Sequence, residues 1–156
     1  MKAVLLSSLV MLAVASSAAV AQSVIPKGWF LHDDLSPTLT LAYYDPASGD
    51  VDVSLNCTAG YSDVVVAFYP KSGDMSEGRS AKLELRNGDA THSIDATGKT
   101  YNGRYVFDGL TTMEPALGKL LVGGFTMLVG GEEMGTYTPN ENDGAHVRKL
   151  AEACTG

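Results

Sequence analysis

The residues of this chain that could do chemistry are three histidines, several adjacent acidic residues and two cysteines. His92, Ser93 and Asp95 include the three residue types of a hydrolytic triad. Triad members come from separated segments and work beside an oxyanion hole, whereas these three lie within one predicted strand. We therefore expect His92 to be an exposed cross-strand neighbour, and we predict no catalytic residue.

Metal binding is the next chemistry to consider, because His32-Asp33-Asp34 offers a nitrogen and two carboxylates. Adjacent residues of a strand point to opposite faces, so such a site would need ligands from elsewhere in the chain. The third histidine, His146, falls on a predicted helix as a surface residue beside its apolar stripe. We predict no metal site and no cofactor.

The N-terminus has the pattern of a secretory signal peptide. Lys2 precedes an apolar stretch from Val4 to Val14, and Ala19-Val20-Ala21 fits the small-x-small cleavage rule. The stretch is shorter than the roughly 20 residues of a membrane-spanning helix, and no cysteine near the cut offers a lipid anchor. We predict cleavage after Ala21, export to the periplasm or beyond, and a mature domain over 22–156.

Composition supports one folded, acidic domain. The chain has 156 residues, of which 45% are hydrophobic and 19% charged, and its net charge is -7. Because Lys2 is the only charged residue before the cut, the mature domain would carry -8. An acidic domain binds phosphate backbones poorly, so a nucleic-acid partner is disfavoured and a basic protein partner is favoured.

Export gives the two cysteines a predicted role. From Val51 to Cys57 apolar and polar residues alternate, which places Cys57 on the buried face of a strand. Val147, Leu150 and Cys154 share the apolar stripe of a C-terminal helix. Two inward-facing thiols in an oxidising compartment predict a Cys57–Cys154 disulfide; two free buried thiols are the alternative.

Short strands separated by glycine, proline and Asn-Gly turns predict a mainly β fold. We expect an antiparallel β-sandwich or open barrel of about eight or nine short strands with a short C-terminal helix. Asn87-Gly88 predicts a type I′ hairpin turn, and the continuous run from Val64 to Val66 predicts a central strand covered on both faces. Helices are expected over 114–121 and 143–154.

Aromatic residues form the one enrichment that suits binding, since tyrosine is amphipathic and favoured at interfaces. A polar loop from Lys71 to Gly78 adds a candidate mobile contact. The predicted binding surface consists of Trp29, Tyr43, Tyr61, Tyr69, Tyr101 and Tyr105.

The strand that ends in Cys57, the C-terminal segment from Val147 to Cys154 and Trp29 near the mature start together resemble a known layout. It is similar to that of small exported bacterial β-sandwich proteins of the invasion-associated locus B kind and of accessory periplasmic proteins of type VI secretion loci. The resemblance implies a noncatalytic periplasmic or surface protein.

These observations favour an exported, noncatalytic binding protein of the bacterial envelope, with another protein or an envelope component as its partner. One alternative is an inhibitor of a lysozyme-like hydrolase, because such targets are commonly basic and an acidic domain would be steered toward them. A second alternative is a small secreted hydrolase or a metal carrier, which would require His92 or His32 to lie in a pocket with partners.

Overall fold

A computed structural model describes residues 25–155. The predicted signal peptide over 1–21 lies outside the described residues. The elements, in chain order, are β1 (Gly28–His32), β2 (Thr38–Asp45), β3 (Asp50–Thr58), β4 (Asp63–Phe68), β5 (Ser80–Asn87), β6 (Ala90–Tyr101), β7 (Arg104–Thr112), α1 (Pro115–Gly123), β8 (Phe125–Val129), β9 (Glu132–Tyr137) and α2 (Gly144–Ala153).

The strands form one antiparallel sheet in the order β1-β2-β3-β4-β7-β6-β5-β8-β9. The sheet curls into a half-barrel, so the prediction of a mainly β, antiparallel fold is confirmed in its open-barrel form. Aromatic residues bring the two ends of the sheet together: the Trp29 ring lies 6.2 Å from Phe125, and the Tyr43 ring lies 5.0 Å from Tyr137. The concave face is therefore a closed, packed core.

Both helices pack on this core. Leu117 and Leu121 of α1 are completely buried, and so are Val147 and Leu150 of α2, as the predicted apolar stripe of the C-terminal helix requires. Helix α2 contacts β1 and β2, while α1 contacts β5 and β6. No helix among residues 25–155 is long and apolar enough to cross a membrane.

The Cys57–Cys154 disulfide is confirmed, with 6.1 Å between the two Cα atoms. It joins β3 to the residue that follows α2, and both cysteines are buried. The predicted helix over 143–154 is present as α2, with Asp143 at its N-cap. One hydrogen bond, from Gly60 N–H to Ala153 C=O at 2.8 Å, supports the same junction.

Two local predictions are corrected. Asn87 pairs with Ala90, which leaves Gly88 and Asp89 as the hairpin loop. Gly88 has a positive φ of 56°, but Asp89 does not, and a type I′ turn requires positive φ at both central residues. The predicted type I′ turn is therefore wrong, although the hairpin is present.

The prediction that β4 is covered on both faces is also wrong. Val64 and Val66 are fully buried on the concave face, whereas the side chain between them, Val65, is 38% exposed. The physical reason is that β4 lies in the middle of a single sheet whose outer face has no second layer over Val65. The three valines thus alternate between buried and exposed, as in an antiparallel strand with one solvated face.

Candidate functional site

Three residues of the predicted binding surface belong to the core. Trp29, Tyr43 and Tyr105 are 0%, 6% and 9% exposed, so the prediction that they form an exposed surface is wrong, although Tyr43 also lines the pocket described below. Strand alternation turns them to the concave face, where the Trp29 ring packs edge-on against Tyr43 at 5.1 Å. There these rings stabilise the fold.

The other three residues are accessible. Tyr61 and Tyr101 are 65% and 61% exposed, and Tyr69 is half-buried beneath the Arg104 guanidinium, which lies 4.4 Å from its ring centroid. Tyr69 and Tyr101 line the same shallow depression of about 150 Å³ on the outer face, together with Val65. Tyr61 lies between β3 and β4, apart from this depression.

Two of the three histidines have structural partners, and His32 is exposed at the end of β1. His92 Nε2 lies 2.8 Å from Thr111 Oγ1, and His146 Nδ1–H donates to the Trp29 carbonyl at 3.1 Å. Across residues 25–155, no group of three or more His, Cys, Asp or Glu side chains is placed to hold a metal ion.

The best-formed candidate site is a pocket of about 260 Å³ at one rim of the half-barrel, which we call the rim pocket. It lies where β2 and β4 end, where β3 begins and where β9 crosses the opening. Its lining residues are Lys27, Tyr43, Asp45, Asp52, Phe68, Tyr69, Lys71, Ser72, Met134, Gly135, Thr136 and Tyr137.

Two β-bulges shape the rim pocket. Tyr43 pairs with Val53 but the next residue, Tyr44, pairs with Val51, which leaves Asp52 as the extra residue of β3. A second bulge between β8 and β9 leaves Met134 unpaired in the same way. Bulges re-aim side chains at barrel rims, and both extra residues line the pocket.

The charges of the rim pocket are arranged by depth. Lys71 Nζ lies 3.0 Å from Asp52 Oδ2 and 3.5 Å from Asp45 Oδ2, and Lys27 Nζ lies 3.5 Å from the same Asp45 oxygen. The carboxylate side chains are only 7% and 14% exposed, whereas the lysine side chains are 55% and 57% exposed. The inner end is therefore acidic and the mouth is basic.

These contacts act on the protonation of the pocket residues. The Ala47 backbone N–H lowers the pKa of Asp45 most; the lysines lower it further, and partial desolvation opposes this. Partial burial lowers the pKa of Lys71, but its hydrogen bond to Asp52 and the two carboxylate charges outweigh burial and raise it. These contacts therefore favour the charged forms of Asp45 and Lys71.

Two tyrosine hydroxyls complete the inner end. Tyr43 and Tyr137 are 6% and 5% exposed, and neither hydroxyl has a hydrogen-bond partner within residues 25–155. Burial raises the pKa of both groups, and the negative charges of Asp45 and Asp52 raise it further. Neither oxygen is a fully buried orphan, since Trp29 Nε1 is the one such side-chain atom within residues 25–155. The two protonated hydroxyls therefore open onto the pocket, where a ligand could reach them.

We predict an alkaline loss of stability from these tyrosines. In the folded protein the pKa of each tyrosine lies above the ordinary 10.0, so the unfolded chain ionises first as pH rises. The contribution of the protonated hydroxyls to the free energy of unfolding is therefore complete below pH 10 and is lost as pH rises through the folded pKa. Tyr137→Phe should flatten this loss. Urea unfolding at several pH values, together with absorbance titration of tyrosinate, checks it; an unchanged slope in the variant would contradict it.

A wider groove of about 710 Å³ lies between α1 and α2. Its apolar floor includes Val122, which is 42% exposed, and its polar residues Lys119, Arg148 and Glu152 are all exposed. The groove therefore lacks the buried polar groups that distinguish the rim pocket.

No protein-family profile, no curated protein and no solved structure matches this chain. The function of the protein is therefore inferred from the geometry of the rim pocket.

Sequence reasoning missed Asp45, Asp52 and Tyr137 as binding residues, and it named Lys71 only as the start of the polar loop 71–78. Asp52 occupies the polar phase of an alternating strand, and this pattern predicts a solvent-facing side chain. One indication was available, because Asp45 and Lys71 each adjoin a proline at the end of a strand, and strand ends form the rims of barrels.

Proposed function

We propose that this protein is an exported, noncatalytic binding protein that holds a small polar ligand in the rim pocket. The observation that carries the proposal is the pair of tyrosines, Tyr43 and Tyr137, that line the pocket with no hydrogen bond from either hydroxyl to the rest of residues 25–155, beside the buried carboxylate of Asp52. Binding sites place a few polar groups in a concave, mostly pre-formed pocket, and this pocket supplies them.

The state of the polar groups favours binding over catalysis. A general base works best when its pKa lies near the operating pH. Asp45 and Asp52 are paired with lysines, and the pKa values of Tyr43 and Tyr137 are raised. These groups are suited to hold a ligand rather than to exchange protons with it.

Export is part of the proposal. The disulfide suits an oxidising compartment, and the pattern around Ala21 adds cleavage of a signal peptide. We place the mature protein in the bacterial periplasm or outside the cell, consistent with the resemblance to small exported β-sandwich proteins.

A thermal-shift panel tests the binding function. Sugars, amino acids, amines, carboxylic acids and nucleosides are added separately, and one class should raise the melting temperature by mass action without appearance of a product. Asp52→Asn and Tyr137→Phe should each weaken that binding about tenfold or more, because each removes a hydrogen bond to the ligand.

The matched control is Asp108→Asn, which breaks an exposed ion pair with Lys99 on the outer face (2.7 Å). It should bind like the wild type. If no class shifts the melting temperature, or if the shift persists undiminished in both pocket variants, the rim pocket is not the binding site; a released product would instead make the protein an enzyme.

Inhibition of a basic hydrolase is a second candidate. The net charge of -7 favours a basic partner, and Tyr101 and Leu110 are exposed on the outer face at 61% and 65%. Lysozyme activity measured with and without the protein at low salt decides it: inhibition that is lost in Tyr101→Ala supports this candidate, and full activity at micromolar protein removes it.

A further inference from the structure

We infer that the rim pocket binds a small zwitterion, with a primary ammonium at its inner end and a carboxylate at its mouth. A free amino acid or a very short peptide has this chemistry. The inference rests on the proposed binding function and specifies its ligand class.

The inner end is suited to a cation. Asp52 and Asp45 have side chains that are 7% and 14% exposed, so their charges are screened less by water than surface charges are. The hydroxyl oxygens of Tyr43 and Tyr137 are free to accept hydrogen bonds. An ammonium placed here would meet carboxylate and hydroxyl together.

The mouth is suited to an anion. Lys27 and Lys71 have side chains that are 57% and 55% exposed, and each ammonium has three donors. Lys27 makes one contact, at 3.5 Å to Asp45, and Lys71 contacts Asp45 and Asp52. Each lysine therefore keeps a donor that a ligand carboxylate could use.

Charge balance selects a ligand that carries both charges. The two carboxylates and two ammonium groups sum to zero, so a ligand with a net charge would leave the occupied pocket with that net charge. An added carboxylate alone would face Asp52, and an added amine alone would compete with Lys71 for Asp52 and leave the lysine without a counter-charge. The ammonium of a zwitterion also displaces Lys71, but the carboxylate of the same ligand then pairs with the freed lysine, so each charge again meets an opposite one.

The volume of the rim pocket limits the size of the ligand. The rim pocket of about 260 Å³ is smaller than the roughly 300–1,000 Å³ of pockets for drug-sized ligands. Phe68 and Met134 supply an apolar wall for a short side chain. Gly135 keeps the inner end open, since a Cβ added there would lie 3.0 Å from the Tyr137 hydroxyl.

Isothermal titration calorimetry with matched probes tests the inference. The twenty free L-amino acids and the glycine and alanine dipeptides are titrated into the disulfide-bonded protein. The best binder is then compared with its decarboxylated amine and its N-acetyl derivative. Each analogue lacks one charged end and should bind at least about tenfold more weakly. The ratio of amino acid to dipeptide affinity separates free amino acids from peptide ends.

Three variants assign the two ends. Lys71 would bind the ligand carboxylate, so Lys71→Met should reduce the preference for the amino acid over its decarboxylated amine. Asp52 would bind the ligand ammonium, so Asp52→Asn should reduce the preference for the amino acid over its N-acetyl derivative. Gly135→Ala should weaken all probes by crowding the Tyr137 hydroxyl while it leaves every charge in place. Asp108→Asn on the outer face should behave as the wild type.

The outcomes separate this inference from the proposed function. If an amine, an N-acetyl acid or a neutral monosaccharide binds as tightly as any amino acid, and Asp52→Asn and Tyr137→Phe weaken that binding, the zwitterion inference is wrong and the binding function stands. If none of these probes, and none of the thermal-shift panel, binds wild type more tightly than the pocket variants, both are wrong.

Discussion

Replacing Cys57 and Cys154 together by alanine should lower the free energy of unfolding by about 4–5 kcal/mol. The bridge spans 97 residues of sequence, which is most of the described chain. In the chain-entropy account a cross-link removes conformations from the unfolded state, and the effect grows with the logarithm of loop length. This is the largest stability change that we predict.

The folded state should change mainly at the end of α2. Cys154 is completely buried, and the Gly60–Ala153 hydrogen bond is the backbone tie at the same junction. Without the bridge, only that hydrogen bond and the packing of Leu150 hold the last turn of α2 against the sheet. Because this turn loses its covalent attachment, hydrogen exchange should increase first around residues 150–155, while β3 stays protected by its two neighbouring strands.

Urea unfolding of the oxidised wild type, the reduced wild type and the double variant measures this effect. The two forms without a bridge should agree within about 1 kcal/mol, because each places small apolar groups at the buried positions. Equal stability of all three forms would contradict the prediction. Thiol titration of the denatured, unreduced protein should find no free thiol, and two thiols would disprove the bridge itself.

The disulfide shows what sequence periodicity can predict. Val51 to Cys57 has the period of a strand, and Val147 to Cys154 has the period of a helix, so each pattern fixes which face carries its cysteine. Local signals likewise predicted α1, where Pro115 stands at the first turn of the helix. The prediction failed where residue type was used in place of position in the strand. Tyr43 was assigned to a surface because it is a tyrosine, but it lies two residues after Leu41 and four after Leu39, on the same buried face of β2.

The rim pocket could not be predicted because its geometry is non-local. Asp52 becomes an inward-facing residue only through the bulge opposite Tyr43 and Tyr44, and a bulge has no signature in an alternating strand. Tyr137 reaches Tyr43 only because the sheet curls and brings its two ends together. Curl depends on the summed twist of nine strands, which no single segment encodes.

Asp143→Ala should lower the free energy of unfolding by about 3 kcal/mol, because it removes the acceptor for buried hydrogen bonds. The Asp143 carboxylate is the buried junction between β1 and α2. It accepts from the backbone N–H of Trp29 at 2.7 Å and from that of Asn140 at 2.6 Å. A Cβ on Gly28 would overlap the same carboxylate, so glycine is required there for the approach.

The junction protects the edge of the sheet. β1 is an edge strand, and the outer side of Trp29 would otherwise present an unpaired N–H and C=O. Asp143 takes the N–H, and His146 Nδ1–H donates to the C=O at 3.1 Å. The first turn of α2 thus replaces a neighbouring strand, although Asp143 makes no side-chain hydrogen bond to its own helix.

Two companion variants separate this role from simple charge removal. Asp143→Asn keeps an acceptor oxygen for the Trp29 N–H and should cost less than Asp143→Ala. Asp33→Asn breaks the exposed ion pair that Asp33 forms with Lys149 of α2 and should change stability much less than Asp143→Ala, because exposed ion pairs contribute little. Urea unfolding gives the three values, and the Trp29 amide should exchange faster only in the Asp143 variants. If Asp143→Ala costs no more than Asp33→Asn, the packing of Trp29 and Val147 alone holds α2 against the edge of the sheet.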